Sequence, residues 1–351
     1  MRFALTAEQI DFAASLRKMG EAAKTPGVVR AWGAGDSASG KALLGQLAEA
    51  GALGLTITED NGGFGAGPVE LIVAFTEIGR AAAPGPLVET AAAIPALLQA
   101  LPDAAAAAEW LPQFAEGAKL GTLAIAPGTG STSGASALAA SGTPVALDAD
   151  IADLVLLAEG DRVSIAVAGE QAKSVDAARR LFPVTADTVL AEGEGVGAAI
   201  DLAFDTAALA TAAQLLGAGR ALLDTSVEYV KQRQQFGKPI GQYQAIKHHL
   251  ANVSIGLEMA QPLLYRAALT LEAGADATVR ARDISAAKLA CGEAAYQAAR
   301  IALQVHGAIG YTAECDLSLW LTKVTALRSA WGTPAFHRTR IATALRDGAA
   351  A

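Results

Sequence analysis

The spacing of apolar residues predicts long helices at both ends of the chain. A capping box at Thr6–Gln9 opens a series of helical patterns that fills most of the first 118 residues. From residue 198 onward, the same spacing predicts five helices, at 198–232, 242–274, 277–305, 314–331 and 334–346. Helices of about 30 residues are about 45 Å long, a length that suits a four-helix bundle.

The middle of the chain has a different pattern. It is rich in Gly, Ser, Thr and Val, and its short apolar runs at 120–126, 152–160 and 161–169 are typical of strands. We expect a small antiparallel β domain here and loops at 25–39. The predicted fold class is therefore α+β and mainly α. It has an N-terminal all-α domain (1–118), a shortened β domain (119–195) and a C-terminal α-helical bundle (196–351).

Two segments of the C-terminal part carry candidate binding chemistry. The first, RQQFGKPIGQYQ (233–244), forms a corner between two predicted helices, since Gly237 and Pro239 interrupt helix. Arg233 offers a planar cation for phosphate or carboxylate. Phe236 either anchors the turn or presents its ring to a planar ligand. The second segment, QVHGAIGY (304–311), ends another helix with glycines that either cap it or approach a ligand closely.

Together, in this order, the two segments resemble the acyl-CoA dehydrogenase family. Its members carry R-x-x-F-G-x-x-I-x-x-x-Q and later Q-x-x-G-G-x-G-Y, and Ala308 replaces the middle glycine here. Segments 47–67 and 75–90 also look like the first domain of that family. The resemblance implies FAD, an acyl-CoA substrate and an electron-transfer flavoprotein as partner. It assigns contacts to a neighbouring subunit's FAD to Arg233, Gln235, Phe236, Gln244, Gln304, Val305, His306, Gly307 and Ala308.

The base that the family uses is missing from this sequence. Removing a proton from the Cα of a thioester needs a carboxylate in a dry pocket, and the family places a glutamate at one of two positions. The matching residues here are Trp331 and Ala207, so we predict no catalytic residue. Asp205 is expected to be a helix N-cap and Glu314 a first-turn residue. The family's flavin-ring loop, T-E-P-x-x-G-S-D, corresponds to APGTGSTSG (126–134), which lacks the Thr-Glu pair.

The remaining histidines and arginines have structural interpretations. We expect His306 to be packed or to cap its helix, and His337 to lie at the surface or in an interface. Arg338 and Arg340 are expected to be solvated or to contact another subunit.

This pattern is similar to the smaller, base-less subunit of heterotetrameric (α2β2) acyl-CoA dehydrogenases of actinobacterial sterol degradation. Our leading hypothesis is a non-catalytic subunit that completes the FAD site of a catalytic partner. One alternative is a self-sufficient homo-oligomeric dehydrogenase with an unidentified base. Another is a non-enzymatic scaffold. The resemblance suggests a bulky, sterol-like thioester, and the sequence itself does not identify the acyl group.

Composition and charge limit the classes of partner that the sequence predicts. The net charge is −8 and there is no basic stripe, so we expect no nucleic acid. Cys291 and Cys315 lack metal-ligand spacing with any histidine, so we expect no metal site. No run of 18 apolar residues predicts a membrane span, and the N-terminal segment does not resemble a signal peptide. We expect a cytoplasmic location.

Overall fold

Six helices form the N-terminal part of the computed structural model, which describes residues 4–126, 143–312 and 314–349. The Thr6 hydroxyl accepts from the Gln9 amide at 3.2 Å, and the Gln9 side chain accepts from the Thr6 amide at 2.9 Å, so the predicted capping box is confirmed. The helices are α1 Ala7–Ala22, α2 Thr25–Gly33, α3 Ala38–Glu49, α4 Pro68–Arg80, α5 Ile94–Ala100 and α6 Ala105–Ala115. A π-helical turn, Glu89–Ala93, leads into α5.

Helix α2 occupies part of the stretch that was expected to be loop. That prediction was wrong because a proline in the first helical turn is compatible with helix. Val28, Val29 and Trp32 lie on one face of α2, and all three are buried. Burial of this apolar face therefore outweighs the weak local signal.

Within the described residues, the sheet has five strands in the order β1-β3-β4-β5-β2. Three of them confirm the strands predicted from apolar runs, and all five are β1 Gly121–Ile125, β2 Val145–Leu147, β3 Leu154–Glu159, β4 Arg162–Ala168 and β5 Leu181–Glu192. The expectation of a wholly antiparallel sheet was wrong, since β1 pairs with β3 in parallel. In sequence, β2 lies between these two strands, but in the sheet it pairs with β5 at the opposite edge. Strand β3 then runs beside β1 in the same direction. All of the proposed flavin-ring loop except Ala126 lies outside the described residues.

The C-terminal part confirms all five predicted helices. They are α7 Val196–Gln232, α8 Gln244–Glu272, α9 Ala277–His306, α10 Leu317–Ser329 and α11 Pro334–Ala349. Helix α7 is the central element, and it packs against α4, α8, α9 and α10. It meets α4 with backbone against backbone, because a Cβ on Gly217 would lie 1.8 Å from the Thr76 carbonyl oxygen. The predicted mainly helical α+β fold class is confirmed.

By length and composition alone, α7 is long and apolar enough to cross a membrane. However, 78% of its most apolar stretch is buried inside the protein. It contains fully buried residues such as Leu209 and Ala213. These features are those of a core helix.

A buried polar junction joins the N-terminal helices to the sheet. The Trp32 indole N–H and the Arg180 Nε both donate to the Asp148 carboxylate at 3.0 Å. Arg180 also donates to Asp150 at 2.6 Å, and its guanidinium lies 5.4 Å from the centre of the Trp32 ring. Burial raises the pKa of Asp148 to about 6, against the opposing effect of the hydrogen bonds from Trp32 and Arg180. The carboxylate therefore depends on these two donors.

Replacing Trp32 by phenylalanine should lower the free energy of unfolding by about 1–3 kcal/mol, because a buried carboxylate oxygen loses a donor. Denaturant unfolding followed by circular dichroism measures this change. Trp110→Phe is the matched control, since Trp110 is half-buried in α6 and its indole makes no hydrogen bond to the described residues. Equal losses in the two variants would show that the hydrogen bond adds nothing.

Candidate functional site

The two candidate segments follow helix ends that meet at one end of the bundle. The Tyr229 ring, in the last turn of α7, stacks on His306 at the end of α9, with ring centres 4.2 Å apart. The Tyr229 hydroxyl also donates to the His306 carbonyl oxygen at 3.3 Å. The end of α7, just before the first segment, therefore meets the end of α9, where the second segment begins.

The corner after α7 exposes the side chains that the resemblance assigns to the cofactor. Phe236 is 92% exposed and has a φ of +53°, a conformation that is uncommon for a residue with a side chain. Arg233, Gln235 and Gln244 are also exposed, and their side chains make no hydrogen bond or ion pair to the described residues. A short hairpin of β6 (Gln234–Gln235) and β7 (Lys238–Pro239) holds the corner in shape. An unpaired cation and a bare aromatic ring are features of a surface that another molecule covers.

The second segment offers backbone as well as side chains. Gln304 and Ala308 are exposed, whereas Val305 and His306 are buried. The His306 Nδ1 lies 2.8 Å from the Ala302 carbonyl oxygen and must donate to it, and burial lowers the pKa of His306. His306 is thus packed, as expected. Gly307 ends α9 with a φ of +64° and has no side chain to cover the backbone.

These groups fit one end of FAD. A free guanidinium, three exposed amide side chains and a glycine backbone can bind a diphosphate and its ribose, and Phe236 can stack on adenine. The fit to FAD is therefore one of hydrogen-bond donors and charge: the guanidinium and the amide groups are donors, and a diphosphate and a ribose carry the matching acceptors.

A separate cavity of about 300 Å³ lies between the π-helical turn, the sheet and the turn after α10. Its walls are mainly apolar, and its polar groups come from the π-helical turn, the loop before β5 and the end of α10 with the turn that follows it. It is lined by Glu89, Leu123, Ile125, Val145, Leu147, Lys173, Ser174, Val175, Arg179, Leu181, Phe204, Ala326, Ser329, Ala330 and Trp331.

Trp331, at one of the two positions where the resemblance places a base, borders this cavity. Its indole N–H donates to Glu89 Oε1 at 3.2 Å, and its φ is +53°. Its carbonyl oxygen lies 3.0 Å from His337 Nε2. Because a carbonyl can only accept, His337 carries its proton on Nε2, and its Nδ1 accepts from the Ser285 hydroxyl at 3.0 Å. The expectation that His337 lies at the surface was therefore wrong, since these two partners satisfy it inside the protein.

The second base position, Ala207, is fully buried in α7, and the nearby Asp205 does not replace it. Asp205 is not the expected N-cap, because it lies inside α7 with no exposure. It accepts from Arg280 Nε at 2.8 Å and from Arg340 Nη1 at 2.5 Å. The prediction that Arg340 is solvated was also wrong, since it is buried against this carboxylate. Both oxygens of Asp205 are therefore engaged by arginine side chains inside the protein.

Glu314 also lies outside the position expected for it. It is exposed in the turn before α10, rather than in the first turn of that helix.

The sequence reasoning missed Glu89, the carboxyl group that borders the cavity. Burial raises the pKa of Glu89, and nearby Arg179 lowers it to a smaller extent. Its Oε2 has no hydrogen-bond partner among the described residues. The available signal was a single acidic residue within the apolar stretch from Pro86 to Ala93.

Comparisons with known proteins agree with this fold. Family models for the N-terminal and C-terminal domains of acyl-CoA dehydrogenase match residues 6–118 and 193–346. Acyl-CoA dehydrogenase IpdE2 of Mycobacterium tuberculosis is 32% identical over 304 residues, which cover 85% of each chain.

Solved structures show the same architecture at lower identity. Butyryl-CoA dehydrogenase from Megasphaera elsdenii superposes with a TM-score of 0.82 at 23% identity, over 99% of this chain and 100% of that one. A variant of the Tcur3481-Tcur3483 steroid ACAD gives a TM-score of 0.80 at 24% identity, over 98% of this chain and 99% of that one.

The buried His337 predicts a specific pH dependence of stability. Burial lowers its pKa to about 3, so below about pH 6.5 the unfolded chain takes up a proton that the folded protein excludes. The free energy of unfolding should therefore fall as the pH drops from 7 to 5, with a contribution of up to about 1.4 kcal/mol per pH unit.

The His337→Gln variant should show a smaller slope in denaturant titrations at pH 5, 6 and 7. His249→Gln, which changes an exposed histidine on α8, should keep the wild-type slope. Identical slopes for wild type and His337→Gln would show that the buried His337 does not cause the loss of stability at low pH.

Proposed function

Because the chain belongs to the acyl-CoA dehydrogenase family, we propose that it is the non-catalytic subunit of a heteromeric dehydrogenase and completes the FAD site of a catalytic partner chain. The family oxidises the CH–CH bond next to an acyl-CoA thioester, and FAD, when bound, accepts the hydride. We further propose that electrons pass on to an electron-transfer flavoprotein and that the complex is cytoplasmic.

One contrast within the molecule supports this proposal. The corner with Arg233 and Phe236 is assembled and uncovered, whereas the base positions hold Trp331 and Ala207. The chain thus keeps the groups that bind FAD across an interface and lacks those that remove a proton at its own site.

Each corner residue has a role in this proposal. Arg233 binds the diphosphate of the partner's FAD through its planar guanidinium. Gln235, Gln244 and Gln304 orient the ribose and adenine through their amides, and the Gly307 backbone allows close approach. Phe236 stacks on the adenine and excludes water from the interface.

One of the similar solved structures supports a bulky acyl group as the substrate. That protein is described as a steroid ACAD, and its name, Tcur3481-Tcur3483, joins two designations. We therefore propose a polycyclic or similarly bulky thioester as the substrate of the complex, bound mainly by the partner.

A second candidate function rests on Glu89. It borders the cavity beside Trp331, and its raised pKa is suited to a general base. In this alternative the chain is a self-sufficient dehydrogenase in which Glu89 takes the Cα proton. The third alternative, a scaffold, requires no flavin contact from Arg233.

Flavin stoichiometry separates these functions. The chain expressed alone should be colourless, and the co-purified complex with its partner should carry one FAD per pair of chains, measured by absorbance against protein mass. Arg233→Ala should lower the flavin content of the complex, because a charge-assisted contact to phosphate contributes about 1.5–3 kcal/mol.

The Arg346→Ala variant is the control, since Arg346 is exposed on α11 and, among the described residues, its side chain hydrogen-bonds only within that helix. Unchanged flavin in the Arg233→Ala complex would favour the scaffold. One FAD per lone chain would favour the self-sufficient enzyme.

Glu89→Gln tests the second candidate, because the amide keeps the hydrogen bond from Trp331 but cannot accept a proton. A subunit without chemistry should lose no dye-linked acyl-CoA oxidation in the complex. A self-sufficient enzyme should retain FAD and lose at least about 100-fold in kcat.

A further inference from the structure

We propose that the catalytic partner chain docks on the groove between α8, α9 and the end of α10, and that it supplies an Asp or Glu side chain to Arg328. This inference rests on the proposed function, because it names the face of this chain that the partner covers. The groove has a volume of about 550 Å³, and we call it the Arg328 groove. It is lined by Asn252, Val253, Gly256, Ala290, Glu293, Ala294, Tyr296, Gln297 and Arg328.

The side chain of Arg328 is fixed in position but lacks an acceptor. Its guanidinium carbon lies 4.4 Å from the centre of the Tyr296 ring, which belongs to α9. The Arg328 Nε is buried without a hydrogen-bond partner among the described residues, and the side chain forms no ion pair with them. A buried N–H without an acceptor is unfavourable, and a carboxylate is the acceptor that matches a guanidinium best.

The chain itself has no carboxylate side chain left for Arg328. Among the described residues that line the groove, Glu293 is the one acid, and the Arg338 side chain already donates to it. The stretches of sequence outside the described residues contain no Asp or Glu. Burial lowers the pKa of the neighbouring Lys288 to about 7, and the charge of Arg328 contributes to that decrease. Positive charge is therefore in excess at the groove.

A row of exposed apolar side chains on α8 lies beside the groove. Ile255, Met259 and Leu263 follow one another at intervals of four residues and are 60%, 71% and 41% exposed. Asn252 and Gly256, which line the groove, each precede a member of this row by three residues, so groove and row share one face of α8. Apolar side chains grouped in this way are typical of a surface that another protein covers.

This face is continuous with the corner assigned to the partner's FAD. Helix α8 begins at Gln244, the last residue of the corner segment, and Asn252 follows it by about two turns, or about 12 Å. A stable interface covers roughly 800 Å² on each partner. We therefore expect a partner that reaches the corner to extend along α8 to the Arg328 groove.

A second copy of this chain matches the groove less well than a different chain does. In a two-fold contact the same patch meets itself, so two Arg328 side chains would enter one interface. Glu293 is already bound by Arg338, and Glu258 lies 3.7 Å from Arg220. A different chain with a carboxylate of its own neutralises Arg328 without breaking these pairs.

Charge reversal at Arg328 should weaken assembly without changing the flavin site. Arg328→Glu should raise the Kd of the co-purified complex at least about 100-fold, because two carboxylates would then meet in a partly buried contact. Light scattering over a dilution series measures this Kd. Lys41→Glu, on the exposed side of α3, is the control and should assemble like wild type. The fraction that still assembles should carry one FAD per pair, whereas Arg233→Ala should assemble and lose FAD.

The apolar row gives a second variant, which does not depend on Arg328. Met259→Lys should raise the Kd at least about tenfold, because a lysine would be buried against the partner. Thermal melting of the lone chain should stay unchanged, since Met259 is 71% exposed. Val167→Lys is the matched control, because Val167 is 57% exposed on the sheet, away from α8.

Zero-length crosslinking identifies the group that meets Arg328. Arg328→Lys keeps the charge and introduces an amine, which a carbodiimide joins to a carboxylate in contact with it. Mass spectrometry of the treated complex should find this amine linked to an Asp or Glu of the partner chain.

Three outcomes would overturn the proposal. They are wild-type assembly of Arg328→Glu, a crosslink from the introduced amine to a second copy of this chain or to no other chain, and a homodimer of the lone chain that Arg328→Glu dissociates. If Arg233→Ala lowers the flavin content while Arg328→Glu assembles normally, the docking surface is wrong and the proposed function stands. If no complex with another chain forms, both are wrong.

Discussion

The buried carboxylate of Asp205 is the interaction on which the C-terminal part depends. A charge without exposure must be compensated inside the protein, because leaving it unpaired is strongly destabilising. Arg280 from α9 and Arg340 from α11 provide that compensation, and so three helices are joined at one point. Fixing α11 in this way also fixes His337, which in turn holds the turn at Trp331.

Much of the fold follows from local patterns. The long helices bury one continuous face each, so their periodicity is visible in the sequence, and the corner at Arg233 is marked by Gly237 and Pro239. The position of Tyr229 against His306 follows only once both helices are packed. The sequence therefore predicted the long helices and the corner between α7 and α8, and packing determined how the ends of α7 and α9 meet.

Residues whose partners lie far away in sequence could not be placed from the sequence. Asp205 and Arg340 are 135 residues apart, and local rules assigned one to a helix end and the other to solvent. His337 was misjudged for the same reason, because its partner Ser285 belongs to α9. The parallel pairing of β1 with β3 depends on where β2 joins the sheet, and short apolar runs carry no information about that. Glu89 was overlooked because a carboxyl group in an apolar run looks like an exception until its cavity is visible.

The turn at Trp331 also restricts which side chains can occupy it. A glutamate at that position would face the buried Glu89, and two carboxylates in one desolvated space cannot both ionise readily. The neighbouring Gly332 cannot take a side chain without strain, because its φ is +103° and a Cβ there would lie 2.4 Å from His337 Nε2. Trp331 and Gly332 are therefore held by the same buried neighbours, and a change at this turn needs a compensating change at Glu89 or His337.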